Sequence, residues 1–360
     1  MRFSRSLRMT LNVQRVVCVV FLALASCGPS PEVPATTPTA EILPIGEPTP
    51  RPAGPAPTVA STSGALPGRL LFAKGGDLWL WQGEHGSQLT STGDAWQPAW
   101  SPDGDRVAFV RRGESYSDLV LIPAAGGEMV QLTNNGSKEP PRSFERIYDV
   151  VWALYPAYAP DGGEVAFVSQ YGPPFGSPAS DYHLALFSVA PGPGAVRTLL
   201  YADDTGHVGR PAYAPDGSAI VFALGPAGAG VSRLYRYDPA AETAAPLDGF
   251  PEQSYDPAFS PDGRWLAFAM RDGTATDVFV SPASGGAPVR LTSVGTARAP
   301  VFSPDGTLLA YLAIAPGESS FDLWVVELRR SADGGLAPGE PRRITSGMRV
   351  DADSGVAWAR

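Results

Sequence analysis

The chain has 360 residues, of which 40 are Gly and 38 are Pro, a share of helix-interrupting residues that argues against a helical bundle and for a turn-rich fold. With 44% hydrophobic and 10% aromatic residues there is ample material for a large core, so disorder along the whole chain is excluded. The net charge of −9 offers no basic face for nucleic acid. Both Cys lie within the first 27 residues, so the chain from Gly28 onward has neither thiol chemistry nor a cysteine metal site.

Arg2, Arg5, Arg8 and Arg15 precede an apolar run, Val16 to Ala25, too short to span a bilayer comfortably, which is the pattern of a secretory signal peptide. Leu24-Ala25-Ser26-Cys27 resembles the lipobox of bacterial lipoproteins. That resemblance implies removal of residues 1–26, acylation of Cys27 and attachment to a membrane through two or three acyl chains. Residues 1–26 hold four Arg and no acidic residue, so the mature chain carries −13. From Gly28 to Ala65 the sequence is Pro, Thr, Ala, Ser and Gly with few large apolar residues, and residues 27–65 read as a lipidated Cys followed by a disordered Pro-rich tether.

Residues 66–360 are repetitive. Trp100-Ser101-Pro102-Asp103-Gly104 returns as Tyr158-Ala159-Pro160-Asp161-Gly162, Tyr213-Ala214-Pro215-Asp216-Gly217, Phe259-Ser260-Pro261-Asp262-Gly263 and Phe302-Ser303-Pro304-Asp305-Gly306. Successive copies lie 58, 55, 46 and 43 residues apart, a period that suits four short strands and their turns, one blade of a propeller. Ser, Pro and Gly stand where a type I turn prefers them, and the Asp is expected to cap that turn through nearby backbone N–H groups. Each turn precedes an alternating strand such as Val107-Ala108-Phe109 or Leu266-Ala267-Phe268. The C-terminal Gly355-Val356-Ala357-Trp358-Ala359 matches the strand before a turn, and segments from Arg69, Asp77 and Gln88 match the other three strands of one blade. The expected fold is therefore all-β, a six-bladed propeller whose ring is closed by the N- and C-terminal strands.

These motifs resemble the TolB-like propeller repeat family across roughly residues 66–360. The resemblance implies the fold and leaves function open, because such propellers serve as periplasmic scaffolds, as gating domains of serine peptidases and as stand-alone modules. The family's namesake has a folded α/β domain ahead of the propeller. Here a Pro-rich stretch takes that place, so no role in the Tol system is carried over.

Asp203, Asp204 and His207 form the best local candidate for a cation at the channel mouth, read against a solvated turn. No Gly-x-Ser-x-Gly elbow, phosphate loop or dinucleotide fingerprint is present, and no cofactor is expected. The two longest departures from the repeat are Asn134 to Asp149 and Gln170 to Tyr182, in loop classes that share one face of a propeller. They bring Arg142, Phe144, Arg146, Tyr148, Tyr171, Phe175 and Tyr182 to that face as candidate partner-binding residues. The Ser331 to Pro341 insertion falls on the opposite face and reads as an extended turn. The sequence thus points to a monomeric, lipid-anchored, extracytoplasmic binding or scaffold module, not an enzyme, for an envelope protein, peptide or glycan. Two other readings stay open: a lactonase-like or glycan-cleaving propeller enzyme with a channel-mouth cation, and an accessory subunit of a hydrolase or transporter.

Overall fold

The computed structural model describes residues 58–60 and 65–360, apart from 141, 150, 173–181, 227–230 and 332–333. Cys27 and Phe175 lie outside the described residues.

Strands β1 (Thr58–Ala60), β2 (Leu66–Lys74), β3 (Asp77–Gly83) and β4 (His85–Gln88) begin the chain's order. Blade 2 comes next with β5 (Ala95–Trp100), β6 (Arg106–Arg112), β7 (Ser117–Pro123) and β8 (Val130–Gln131). Blade 3 holds β9 (Ala153–Tyr158), β10 (Val165–Tyr171), β11 (His183–Val189) and β12 (Thr198–Tyr201). Blade 4 has its first strand in two pieces, β13 (Gly206–Val208) and β14 (Ala212–Tyr213), then β15 (Ile220–Pro226), β16 (Arg233–Asp238) and β17 (Thr243–Pro246). Blade 5 is β18 (Ser254–Phe259), β19 (Trp265–Asp272), β20 (Ala275–Pro282) and β21 (Val289–Arg290). Blade 6 is β22 (Arg298–Phe302), β23 (Leu308–Ile314), β24 (Phe321–Arg330), β25 (Leu336–Pro338) and β26 (Arg342–Arg343). The last strand, β27 (Val356–Ala359), pairs antiparallel with β2 and completes blade 1 in the order β27-β2-β3-β4. The expected six blades and two-ended closure are both present.

Closure is continuous. The first strands of the six blades touch in sequence, β27 to β5, β5 to β9, β9 to β14, β14 to β18, β18 to β22 and β22 back to β27. The core sits in the seams between blades, because each sheet is apolar on both faces. Six buried clusters follow one another around the ring, and in each an aromatic residue of the second strand packs with alanine and larger aliphatic residues of the neighbouring blade. Those aromatics, Phe72, Phe109, Phe167, Phe222, Phe268 and Tyr311, occupy one register position and are all buried. Truncating one of the Phe to Ala removes about 3–5 kcal/mol in such a site.

The Pro-Asp-Gly hairpins behave as the sequence predicts. Gly104 donates to Ser101 O at 2.9 Å, the Ser101 hydroxyl donates to Asp103 Oδ1 at 2.5 Å, and Asp105 N–H donates to the same oxygen at 3.0 Å. The turn glycines adopt φ between 68 and 75°, which a residue with a Cβ resists. Bonds of this kind, the Ser260 hydroxyl foremost, hold Asp262 down to about 2. Blade 1 joins β27 to β2 without such a turn. Arg69 serves there instead, donating through Nε to Arg360 O at 2.9 Å while its guanidinium covers the Trp100 ring of blade 2 at 4.7 Å.

Two segments differ from expectation. Thr58–Ala60, inside the stretch read as tether, pairs antiparallel with His85–Ser87 and adds a fifth strand to blade 1. The 331–341 insertion is more than an extended turn: β24 runs on to Arg330, β25 pairs with its end, and Leu336 is buried beside Trp265 and Leu328.

The outer edges of four blades share a polar fastening. In blade 6 the Thr345 hydroxyl donates to Asp322 Oδ1 at 2.8 Å and accepts the Leu323 N–H at 2.9 Å, while Gly347 and Met348 N–H both reach the carboxylate at 3.0 Å. Asp77 with Thr90, Asp118 with Thr133 and Asp277 with Thr292 repeat the arrangement in blades 1, 2 and 5. This Asp–Thr clamp fastens the third strand to the fourth and to the loop that leads into the next blade.

Candidate functional site

In an up-and-down blade, the connections after the second and fourth strands emerge at one end. The first strands enter the ring from that face, and five of them carry a residue before a proline: Gln97-Pro98, Tyr155-Pro156, Arg210-Pro211, Asp256-Pro257 and Ala299-Pro300. Gln97, Tyr155, Asp256 and Ala299 sit at φ of 51, 53, 49 and 53°, each beside a break in strand register, and blade 4 interrupts its strand around Arg210. Left-handed backbone at a residue with a Cβ stores roughly 1–3 kcal/mol of strain, and here the strain turns these positions toward the ring's axis.

Their contacts run through all six blades. Gln97 of blade 2 donates its backbone N–H to Ser354 Oγ of blade 1 at 2.5 Å and accepts from Tyr155 N of blade 3 through Oε1 at 2.8 Å. Arg210 of blade 4 lies 4.7 Å from the Tyr155 ring centroid, pairs with Asp256 of blade 5 at 3.4 Å, and donates to the Asp353 and Ser354 carbonyls of blade 1 at 2.8 and 3.3 Å. Arg298 of blade 6 faces Asp256 at 3.5 Å and Asp353 at 2.8 Å. Because blades 1 and 4 are opposite one another, Arg210 reaches across the ring to make these bonds. Gly355 is required beneath it, since a Cβ there would lie 2.7 Å from the Arg210 guanidinium. Two arginines meet two aspartates, so the mouth is charge-balanced and internally bonded. None of these residues belongs to the Pro-Asp-Gly motif. The repeated residue-Pro step three positions before each turn's aromatic marks four of them, Gln97, Tyr155, Arg210 and Asp256, and Arg298 stands one residue ahead of the same step in blade 6.

The sequence-predicted rim lies at the same end, around blade 3. A short 3-10 helix, Phe144–Tyr148, lifts Phe144 to 69% and Tyr148 to 42% exposure, with their rings 6.0 Å apart in an edge-on pair. Ser137 donates to Asp149 Oδ1 at 2.5 Å and Lys138 N–H to Oδ2 at 3.1 Å, which pins the base of the loop. Arg146 is turned inward, donating to Ser115 Oγ at 2.8 Å and Glu139 O at 3.1 Å, so it supports the loop more than it offers a contact. Arg142 is exposed at φ 65°. Tyr171, 43% exposed, ends β10 opposite His183, and the Tyr182 ring lies over Gly172. Gln170 Oε1 accepts the Trp152 N–H at 2.6 Å, which joins the second loop's base to the end of the first.

The cation candidates are otherwise engaged. Asp203 accepts from Thr205 N and Oγ1 at 2.7 and 2.6 Å and from Tyr201 OH at 3.0 Å, and the Thr205 hydroxyl chiefly holds its carboxyl below the usual range. His207 Nδ1 accepts the Leu184 N–H at 3.1 Å. Asp204 joins neither, and among the described residues no group of three or more His, Cys, Asp and Glu is placed to hold a metal ion.

The TolB beta propeller domain family matches residues 152–340, more than half of the chain. The chain belongs to that family. A TolB from Acinetobacter baumannii superposes with a TM-score of 0.61 at 20% identity, covering 81% of this chain and 66% of that one. A putative TolB from Agrobacterium tumefaciens gives 0.51 at 16% identity over 82% of this chain and 96% of that one. In sequence, the chain is 31% identical over 138 residues to the uncharacterized peptidase YuxL of Bacillus subtilis (strain 168), covering 35% of this chain and 21% of that relative. The matched stretch spans about a fifth of that curated relative's length.

Proposed function

We propose that this TolB-family propeller is a non-enzymatic binding module, anchored outside the cytoplasm by acylated Cys27, that holds an envelope protein, peptide or glycan against its loop face. The observation that carries the reading is the rim itself. Among the described residues the exposed aromatics are Phe144, Tyr148 and Tyr171, all on the two loops that flank blade 3. Aromatic side chains on a supported loop are the usual anchors of an interface. The charge-balanced mouth supplies a floor for such a contact: its arginines and aspartates are paired with one another, and the described residues offer no nucleophile paired with a base there.

The test uses the full chain expressed in its own host with an affinity tag, beside a version carrying Phe144→Ala, Tyr148→Ala and Tyr171→Ala. A defined partner retained by the first and lost by the second supports the reading; equal retention, or none by either, contradicts it. Cys27→Ser should abolish incorporation of labelled fatty acid and release the protein from membranes. Continued labelling overturns the anchoring proposal alone.

A further inference from the structure

A cavity of about 780 Å³ lies in the groove between the outer edges of blades 2 and 3, at the base of the 134–149 insertion. That size is typical of a small-ligand site. One wall is the end of blade 2 with the base of the insertion, including Gln131, Asn134, Asn135 and Lys138; the other is the approach to β12, including Arg197.

The charges in this groove are unequal in what they still have to give. Asp149, its carboxylate, already accepts from Ser137 and from the Lys138 backbone. Lys138 has no partner for its ammonium among the described residues. Arg197 is held in place by a bond from Nη1 to Ser169 Oγ at 3.3 Å and by the Phe187 ring 5.0 Å away, yet it meets no carboxylate among the described residues. Arginines on the outer strands of other blades do: Arg290 reaches Asp277 at 2.5 Å and Arg343 reaches Asp322 at 2.6 Å. The groove thus presents two unspent cations in a protein of net charge −9.

We propose that this groove binds an acidic oligosaccharide, with Lys138 and Arg197 holding its anionic groups and the amides its hydroxyls. Gln131 spends its N–H groups on Asp118 and the Thr133 carbonyl and keeps Oε1 as an acceptor toward a sugar hydroxyl. The lining has no aromatic residue, and Leu132 is buried, so the groove lacks the apolar pockets that anchor peptide side chains. A site made of amides and fixed cations fits a chain of hydroxyls and negative charges.

The site does not rest on the rim reading and is tested separately, by calorimetric titration of the full-length protein. The probes are a hexameric mannuronate, a sugar-phosphate oligomer of similar length, maltohexaose and hexaglutamate. One or both acidic sugars should bind, the tighter one identifying carboxylate or phosphate as the recognised anion. Maltohexaose and hexaglutamate should not bind. Lys138→Ala and Arg197→Ala should each weaken acidic-sugar binding by about tenfold or more, and added salt should weaken it further. Val289→Ala, at an exposed position of blade 5, should leave this affinity unchanged. Hexaglutamate binding as tightly as the sugars, affinity unaltered in both cation variants, or no binding by either acidic sugar would each overturn the proposal.

Discussion

Blades 1, 2, 5 and 6 and blades 3 and 4 share one strand plan but fasten their outer edges by different chemistry. The first group uses the Asp–Thr clamp, in which a carboxylate, buried in blades 2, 5 and 6 and half-buried in blade 1, gathers a hydroxyl and one or two loop N–H groups. In blade 3 His183 stands where the aspartate would be, and the Leu184 N–H that a threonine would accept goes to His207 Nδ1, across the seam to blade 4. His183 Nδ1 in turn lies 2.9 Å from the Asp203 carbonyl, and the two imidazoles are 5.4 Å apart. In blade 4 the position is Arg233, which pairs with exposed Glu252 at the surface. A propeller therefore tolerates loss of the clamp where a seam contact substitutes for it, and the blades that lost it border the face carrying the long loops.

Both kinds of fastening depend on a closed ring. Deleting residues 351–360 removes β27 and the Asp353–Arg298 and Ser354–Gln97 contacts together, so thermal unfolding should begin far below that of the intact chain and lose its cooperativity; calorimetry decides, and an unchanged melt would mean that the ring closes by other means. Next in size is the clamp itself. Asp322→Ala leaves the Thr345 hydroxyl and the Gly347 and Met348 N–H groups without their acceptor in a buried site, while Arg343 keeps Glu318, and should cost about 3 kcal/mol in denaturant unfolding, whereas Arg233→Ala, at the matching place in blade 4, should leave the midpoint nearly unmoved. Thr133→Val leaves the Leu119 N–H and Asp118 without their shared hydroxyl and should cost about 1–3 kcal/mol.

The smallest effect distinguishes the two fastenings by pH. Burial, with His183 nearby, depresses the pKa of His207 below its ordinary 6.5, so the fold favours the neutral ring. Its contribution is complete above about pH 6.5 and is lost as pH falls through the folded value, when Nδ1 gains a proton and no longer accepts. The hydrogen-exchange protection factor at Leu184, taken relative to the intrinsic rate at each pH, should fall between pH 7.5 and pH 5 more than that at Leu323, whose acceptor is Thr345; His207→Gln should remove that difference.

The repeats made the fold legible because a propeller writes each blade out separately: Pro-Asp-Gly turns, second-strand aromatics and the orphan Val356–Ala359 strand all have counterparts elsewhere in the chain. The rim was legible for the opposite reason, as the place where the repeat is interrupted. The channel mouth was harder to see. Gln97, Tyr155, Arg210, Asp256 and Arg298 differ in type from blade to blade, and Arg210 meets Asp353 only after the ring has brought residues 143 apart together. Repeats are recognised by likeness, and these residues work by being unlike. The groove at Lys138 and Arg197 was hidden likewise, since it forms between two blades and neither cation belongs to a motif. The 331–341 insertion misled because its Gly and Ala content masks Leu336, whose burial decides its structure.

If the loop face around blade 3 is the working surface of the propeller, a partner should be within reach of its aromatics and out of reach of the far side of the ring. Photo-crosslinking residues placed at Phe144, at Tyr171 and, as a remote control, at exposed Val289 of blade 5 in the full-length protein within its host decide the matter. A discrete adduct from positions 144 and 171, absent from 289, is the predicted result. An adduct from 289 with none from the rim would contradict it and move the working surface to another part of the ring.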